Sequence, residues 1–454
     1  MHKLNRLSSR SQLHRIKPVC AALALLASQF AHAAEAPSAA ALDAMYPSLD
    51  ALYQDLHRNP ELSLREEKTS MKMAAQLRKL GFEVTERVGG YGVVGVLRNG
   101  AGPTVMVRTD MDALPIKEQT KLVYASSVTM KGENEEVLPV MHACGHDIHM
   151  TSWVGAAALL AGSKSSWRGT LVFVGQPAEE ILQGAKAMLS DGLMTRFPKP
   201  DFVLGMHDTN LLPAGQVGVV PGAASAASNS VDITFFGKGG HGAAPHLTKD
   251  PVLIAARAVV TLQSIVSREV SPFEAAVVTV GTFHAGTKRN IIPDEAKLEL
   301  TVRSFNPAVQ KHMLEAITRI AKAESAAAGT SREALVFIDP KEASDVVTND
   351  PAVAARLSTA LKQALGDANV MPISPSSASE DFGEYGRAAG APSIQLRVGM
   401  VEPGEYAAAK AAGRSTPGSH TANFAPDRER TIRTGVRALL VSVLDLLRPV
   451  ASAK

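Results

Sequence analysis

The chain has few of the residues that stabilise small secreted proteins or build membrane spans. Its 454 residues include 2 cysteines and 2 tryptophans, and aromatic residues make up 5%. One cysteine lies in the N-terminal leader, so the single cysteine beyond it cannot form an internal disulfide. No charge-free apolar run reaches the roughly 20 residues that a transmembrane helix needs. The length and the 45% share of hydrophobic residues predict a globular protein of two to three domains.

An excess of one charge sign is also missing. The chain has 47 Lys and Arg against 44 Asp and Glu. Residues 1–34 contain five of the basic residues and none of the acidic ones, so the remainder has 42 against 44 and a net charge of −2. This balance argues against nucleic-acid binding.

Residues 1–34 have the pattern of a signal peptide. Positions 1–18 are basic and polar, positions 19–30 are apolar, and Ala31-His32-Ala33 gives a small-x-small cleavage site. We expect cleavage close to residue 34 and export to the periplasm, with no membrane span.

The pattern beyond the leader predicts an α/β protein with an inserted second domain. Strand-like runs at 92–97, 104–108, 170–175 and 202–206 alternate with helical segments, as in layered, largely parallel sheets. Residues 225–341 instead give the order β-α-β-β-α-β, a small α+β sandwich. We therefore predict a catalytic domain in two parts, 42–224 and 342–450, separated by a domain at 225–341.

Residues 142–149 concentrate the ligating side chains. Three histidines lie there with Cys144, and the thiolate of Cys144 and the imidazole of His146 can bind one divalent cation. Asp147 is a candidate to orient an imidazole. Two alternatives stay open at this point, a cysteine nucleophile paired with histidine and a helix start with structural histidines.

Further candidate ligands and bases follow other strands. Glu179 and Glu180 come after an apolar strand, and adjacent carboxylates on a loop can divide the roles of base and metal ligand. His207 ends the next strand, Asp112 follows an earlier one, and His420 lies in a late loop. Together these side chains suffice for a two-metal site.

The inserted segment contributes candidate substrate-binding residues. His241 lies in a glycine-rich turn and is suited to stabilise an oxyanion. Asn290 can bind a substrate carbonyl, and Arg303 can bind a carboxylate, although a structural ion pair is an alternative for the arginine.

Eight short blocks resemble a known enzyme family. They are HRNPELS at 57–63, DMDALP at 110–115, HACGHD at 142–147, QPAEE at 176–180, GMH at 205–207, GGHGA at 239–243, NIIP at 290–293 and SEDF at 379–382. The chain thus resembles, from about residue 45 to 445, the metal-dependent aminoacylase/carboxypeptidase amidohydrolases, in the branch of hippurate hydrolase and the auxin–amino acid conjugate hydrolases.

The resemblance implies a zinc-exopeptidase-like α/β sandwich with a ferredoxin-like lid that mediates dimerisation. By motif it assigns five metal ligands, the general base Glu179 and the supporting aspartate Asp112. The implied ligands are Cys144, His146, Glu180, His207 and His420. His241 and Asn290 match lid residues that reach the substrate, in some relatives from a partner subunit. Two divalent ions are implied, zinc or manganese, with nickel or cobalt as alternatives.

Two stretches depart from the family pattern. Residues 208–210 are polar where many relatives have an apolar residue, which affects the substrate pocket. Residues 399–413 are rich in Ala and Gly, and we expect a flexible loop there.

These features predict hydrolysis of the amide bond of an N-acyl amino acid. The alternatives are a dipeptidase or carboxypeptidase on the same scaffold and a non-catalytic periplasmic binding protein.

Overall fold

The computed structural model of the chain describes residues 39–132 and 134–448. The predicted leader and residues 449–450 lie outside these ranges. The helices are α1 (Ala39–Arg58), α2 (Glu67–Lys79), α3 (His146–Gly162), α4 (Gly184–Ser190), α5 (Leu193–Arg196), α6 (Pro251–Ser264), α7 (Pro307–Ala327), α8 (Pro351–Leu365), α9 (Gly383–Ala389), α10 (Pro403–Ala411) and α11 (Arg428–Leu446).

The strands form one large sheet, one small sheet and short ribbons. They are β1 (Glu83–Val88), β2 (Gly92–Asn99), β3 (Thr104–Asp110), β4 (Thr129–Lys131), β5 (Val137–Pro139), β6 (Gly169–Gln176), β7 (Phe202–Pro213), β8 (Val217–Val219), β9 (Gly222–Ser225), β10 (Ala227–Phe236), β11 (Gly240–His241), β12 (Ala276–Ala285), β13 (Ile291–Ile292), β14 (Glu295–Ser304), β15 (Leu335–Ser344), β16 (Val347–Asn349), β17 (Val370–Pro372) and β18 (Ser393–Val401).

The large sheet has the order β1-β2-β6-β3-β7-β18-β8-β17 and is covered on both faces. Val105 and Val107 of β3 face a core shared with α1, α2, α3, α8 and α11, whereas Met106 faces a second core with α4 and α9. Burial on both sides explains why these strands are apolar runs without alternation. The predicted α/β class is confirmed.

The central strands β6, β3, β7 and β18 run parallel to one another. Their carboxyl ends therefore lie at one edge of the sheet, where open α/β sheets bind ligands. Residues 110–112, 176–180 and 207–208 come together at this edge.

The small sheet has the order β12-β14-β10-β15 and carries helices on one face only. Alternate side chains such as Ile233 and Leu300 pack beneath α6 and α7. The element order over these residues is the β-α-β-β-α-β order expected from the sequence. The proposed domain boundaries at 225 and 341 stay a prediction.

Several helices begin where the sequence indicates, and others do not. Helices α7 and α8 each start with proline after a capping residue, Asn306 and Asp350, whose side chains accept backbone N–H bonds. The expectation of a loop over 399–413 was wrong: β18 extends to Val401, and α10 follows, capped by Glu402.

One helical stretch in the described ranges, Pro251–Glu269, is long and apolar enough to cross a membrane by length and composition. A third of that stretch is buried, and its inner side chains form part of the core of the small sheet.

Candidate metal centre

The histidine- and cysteine-rich segment lies in the loop that leads into α3. Gly145 precedes the helix with φ +79°, and a Cβ at this position would lie 2.4 Å from Oδ2 of Asp208. Only glycine fits this backbone. The turn places Cys144 and His146 on the same side of the sheet edge, with Sγ of Cys144 3.6 Å from Nε2 of His207.

Two groups of ligand atoms share the thiol of Cys144. Cys144, His146 and His207 form one group, and Cys144, Glu180 and His420 form the other, with the ligand atoms of each group within 4.8 Å of one another. The five predicted ligands are therefore brought together, although they come from four separate chain segments.

His420 reaches the site from a constrained loop. Its backbone has φ +62°, its N–H donates to the carbonyl of Ala143 at 2.7 Å, and its Nε2 lies 3.2 Å from Oε2 of Glu180. A non-glycine residue in this region is held there by its surroundings. The side chain is 54% exposed, which places it at the mouth of the site.

Asp112 holds the proposed ligands His146 and Glu180 in position through hydrogen bonds. Its carbonyl oxygen lies 2.8 Å from Nδ1 of His146, so the Nε2 of that histidine is directed toward the site. Its carboxylate accepts the backbone N–H groups of Glu179 and Glu180 at 3.1 and 3.0 Å and the hydroxyl of Ser63 at 2.7 Å. Such outer contacts fix ligand orientation in metal sites.

The side chains fit divalent metal ions. His146 Nε2 and Glu180 Oε1 are buried and have no hydrogen-bond partner within the described residues, which is costly unless another group binds them. A set of one thiolate, three imidazoles and a carboxylate suits zinc or another borderline divalent cation.

Glu179 lies beside the ligands and has the properties of a general base. Burial raises the pKa of its carboxyl well above the usual range, and the nearby carboxylates of Glu380 and Glu180 raise it further. Its Oε2 is 3.7 Å from Nε2 of His146. A buried carboxyl beside a metal site is a candidate to take and return a proton.

The cysteine-nucleophile alternative is disfavoured by the same surroundings. Burial raises the pKa of the Cys144 thiol, and the carboxylates of Glu180 and Glu179 raise it further. Burial lowers the pKa of His207, so the neighbouring imidazole does not supply a positive charge to stabilise a thiolate. A bound divalent cation supplies that charge.

A second set of buried polar residues surrounds the site, and of these the sequence analysis assigned a role only to Asp147. His149 links two aspartates: its Nδ1 lies 2.7 Å from Oδ1 of Asp110, and its Nε2 accepts the backbone N–H of Asp208 at 2.9 Å. Asp147 contacts His57 at 2.7 Å rather than a metal ligand. The imidazole that Asp147 orients is therefore that of His57.

Arg108 is the centre of a buried ion-pair network. Its guanidinium contacts Asp110, Glu380 and Asp381 at 2.6, 2.9 and 3.1 Å and donates to Gln176 at 2.8 Å. The available signal was a charged residue within an apolar strand, which is a costly position unless the charge is paired.

A cavity of about 670 Å³ opens in front of the ligands. Glu179, Cys144 and Arg303 line it, as do Arg397 and the loop 373–379. His241 and Asn290 are not among its lining residues in the described chain. His241 is exposed on the ribbon β11–β13, where its Nδ1 accepts the N–H of Ala243 at 3.0 Å. Their predicted contact with substrate stays a prediction.

Comparison with known proteins agrees with this geometry. Residues 106–439 match the model of peptidase family M20/M25/M40. A hippurate hydrolase from Campylobacter jejuni is 40% identical over 332 residues, covering 73% of this chain and 82% of that protein. The IAA-amino acid hydrolase ILR1-like 4 of Arabidopsis thaliana is 36% identical over 339 residues, 73% of each chain.

Solved structures give the same result. A dinuclear metal-binding peptidase of the M20 family from Bacillus subtilis superposes with a TM-score of 0.71 at 30% identity, over 89% of this chain and 99% of that one. Fold and site thus define a metal-dependent amidohydrolase. The chain belongs to peptidase family M20/M25/M40.

Proposed function

We propose that this protein hydrolyses the amide bond of N-acyl amino acids with two divalent metal ions, zinc or manganese, bound to Cys144, His146, Glu180, His207 and His420. The observation that carries this proposal is the meeting of these five side chains with a carboxyl of raised pKa, Glu179. Glu179 and four of the five, all but His146, line one cavity.

The residues of the chain divide the chemistry among them. When bound, the metals act as Lewis acids that polarise the amide carbonyl and acidify water. Glu179 accepts the proton of the attacking water and delivers it to the leaving amine. Asp112 holds His146 and the 179–180 backbone in place, and Arg303 binds the carboxylate of the amino acid.

The test is amine release by the mature protein, purified from about residue 35. The substrates are N-acetyl, N-benzoyl and indole-acetyl amino acids and dipeptides, with the protein first metal-depleted and then loaded with zinc or manganese. Cleavage restored by metal, and lowered in Glu179→Gln by at least 10²-fold in kcat at unchanged metal content, is the expected result.

Other outcomes separate the alternatives. Full metal-dependent turnover by Glu179→Gln contradicts the proposed mechanism. A preference for dipeptides indicates a dipeptidase or carboxypeptidase. If none of the substrates is cleaved with both metals bound, the protein is a binding protein. Inhibition by iodoacetamide together with resistance to EDTA indicates a cysteine nucleophile.

We further propose that His241 and Asn290 act on substrate after the small sheet moves toward the cavity or from a second copy of the chain. His241→Ala then lowers kcat by roughly 10²- to 10³-fold, the usual loss for one oxyanion donor. An unchanged kcat contradicts this role.

Export and dimerisation are proposed on sequence and surface grounds. The basic and apolar pattern of residues 1–34 supports periplasmic export, which fractionation of cells expressing the full chain tests. The edge strand β12 exposes Val277 and Phe283, and α6 exposes Leu253 and Val260. These surfaces support a homodimer through residues 225–341, which light scattering of the purified protein tests. A monomer at micromolar concentration contradicts it.

A further inference from the structure

Arg397 is a buried cation in the middle of the apolar strand β18. Ile394, Leu396 and Val398 around it are all buried. Its Nη2 donates to the hydroxyl of Ser225 at 2.7 Å. No carboxylate of the described residues lies within 4.0 Å of its guanidinium, in contrast to Arg108, which contacts three.

Arg397 therefore keeps donors that its neighbours do not use. A guanidinium has five N–H donors, and one hydrogen bond is seen. Burial lowers the pKa of Arg397, and the more distant carboxylates of Glu380 and Asp208 do not offset that effect. A buried charge of this kind is costly unless a partner binds it.

The side chain of Arg397 lines the catalytic cavity together with Glu179 and Cys144. Its strand position pairs with His207 across the parallel β18–β7 ladder. The guanidinium is thus available to a molecule bound at the metal ligands.

A second guanidinium, that of Arg303, lines the same cavity. Arg303 donates to the carbonyl of Ser377 at 2.9 Å. The segments that hold the two arginines are hydrogen-bonded neighbours, since Ala226 donates to Ser376 at 3.0 Å and Ser225 forms a bridge with Ser376. Both arginines line one cavity, which at about 670 Å³ is of ligand-binding size.

We propose that Arg397 binds a second carboxylate of the substrate, so that the preferred substrates are dianionic N-acyl amino acids. This inference rests on the proposed function, in which Arg303 binds the carboxylate of the amino acid. The second carboxylate belongs either to the side chain of the amino acid or to the acyl group, and the chemistry that Arg397 recognises is the same.

The experiment compares three substrates that differ in this group. N-acetyl-L-alanine has one carboxylate, N-acetyl-L-glutamate has a second on the amino acid, and N-succinyl-L-alanine has a second on the acyl group. We expect at least one dianionic substrate to exceed N-acetyl-L-alanine in kcat/KM by 10-fold or more. The dianionic substrate that does so shows whether Arg397 binds a carboxylate of the amino acid or one of the acyl group.

Variants then assign the preference to Arg397. In Arg397→Met we expect the ratio of kcat/KM for the preferred dianionic substrate over N-acetyl-L-alanine to fall by roughly 10- to 100-fold, the range for a charge-assisted hydrogen bond. Arg397→Lys keeps the positive charge but not the planar, two-donor geometry of the guanidinium. We therefore expect it to retain part of the kcat/KM ratio. Arg437→Met, on the exposed face of α11, is the matched control and keeps the wild-type ratio.

A binding measurement separates this inference from the proposed function. Calorimetry on metal-loaded Glu179→Gln, with and without Arg397→Met, measures the affinity for N-acetyl-L-glutamate, N-succinyl-L-alanine and N-acetyl-L-alanine. We expect the tighter binding of a dianion to be lost with Arg397.

The outcomes are distinct. If wild type cleaves N-acetyl-L-alanine and shows no preference for either dianion, the inference is wrong and the proposed function stands. If Arg397→Met lowers kcat/KM equally for all three substrates and also lowers the Tm, Arg397 stabilises the fold by offsetting the charges of Asp208 and Glu380. The inference is then again wrong. If no substrate is cleaved, the proposed function fails. The role of Arg397 is then decided by the calorimetric comparison of dianionic and monoanionic ligands alone.

Discussion

The two sheets of this protein are stabilised in different ways. The large sheet buries charged side chains in and after its strands, and Arg108 alone contacts three buried carboxylates. The small sheet buries apolar side chains on one face beneath α6 and α7, and an ion pair of these helical segments, Arg319 with Glu269, lies at the surface. Buried charges thus accompany the ligand-binding edge, whereas the small sheet needs only the alternation of apolar and polar residues.

The largest expected effect comes from breaking the buried network. Arg108→Met leaves Asp110, Glu380 and Asp381 without their counter-charge, and we expect a loss of about 3–5 kcal/mol in the free energy of unfolding. Urea unfolding measures it. A loss below about 1 kcal/mol would show that the carboxylates are neutralised in another way.

A comparable loss in the small sheet requires removal of apolar volume. Leu300 is 4% exposed in the core beneath the two helices, and we expect Leu300→Ala to cost about 2–5 kcal/mol. Because no charge is involved, the cost should be the same at pH 6 and pH 9. A cost that changes with pH would contradict the contrast between the sheets.

The region of the large sheet should instead show a pH dependence through His57, which lies on α1. Burial opposes its protonation, but hydrogen bonds to Asp147 and Glu118 outweigh that effect and raise its pKa to about 9. Because the folded pKa exceeds the unfolded value near 6.5, the stabilisation is complete below about pH 6.5 and is lost as the pH rises through 9. It amounts to about 3 kcal/mol.

The measurement for His57 is a difference between two proteins. Urea unfolding of wild type and of His57→Asn at pH 6.5, 8 and 9.5 gives the part of the pH dependence that belongs to this side chain. The gap between the two proteins should shrink with rising pH. A constant gap would assign the pH dependence to another group.

Asp112 tests the positioning of the ligands. Asp112→Ala removes the acceptor of the 179–180 backbone N–H groups and of the Ser63 hydroxyl, and we expect metal affinity to fall by about 10- to 100-fold. Titration with a competing zinc chelator measures this. Arg303→Met changes a cavity residue that is not one of the proposed ligands, so it is the control for a general effect of cavity substitutions.

The smallest effect is expected at the surface of the small sheet. Arg319 donates to both carboxylate oxygens of Glu269 at 2.7 Å, but both side chains are solvent-exposed or partly so. We expect Arg319→Met to change the free energy of unfolding by less than about 1 kcal/mol. Equal losses in Arg319→Met and Arg108→Met would remove the distinction between the two regions.

Elements with local signals were predictable from the sequence. Helices α7 and α8 are indicated by a capping residue, a proline and an amphipathic face. The blocks around Cys144, Glu180 and His207 likewise indicated a metal site, because ligating residue types follow apolar strands.

Features that depend on distant contacts were not predictable. The start of helix α3 at His146 is not marked by an amphipathic pattern, because the helix is buried on nearly all faces. Two of the partners of Arg108, Glu380 and Asp381, lie 272 and 273 residues away. The free donors of Arg397 became apparent only when its surroundings were known.

The strand order of the large sheet has a consequence for synthesis. Strand β18 lies between β7 and β8, although the chain reaches it only at Ser393. Until those residues leave the ribosome, β7 keeps an unpaired edge, which is a template for association with other chains. Truncated chains that end before β18 should therefore aggregate, and those that end between β18 and His420 should complete the sheet but lack one of the five proposed ligands.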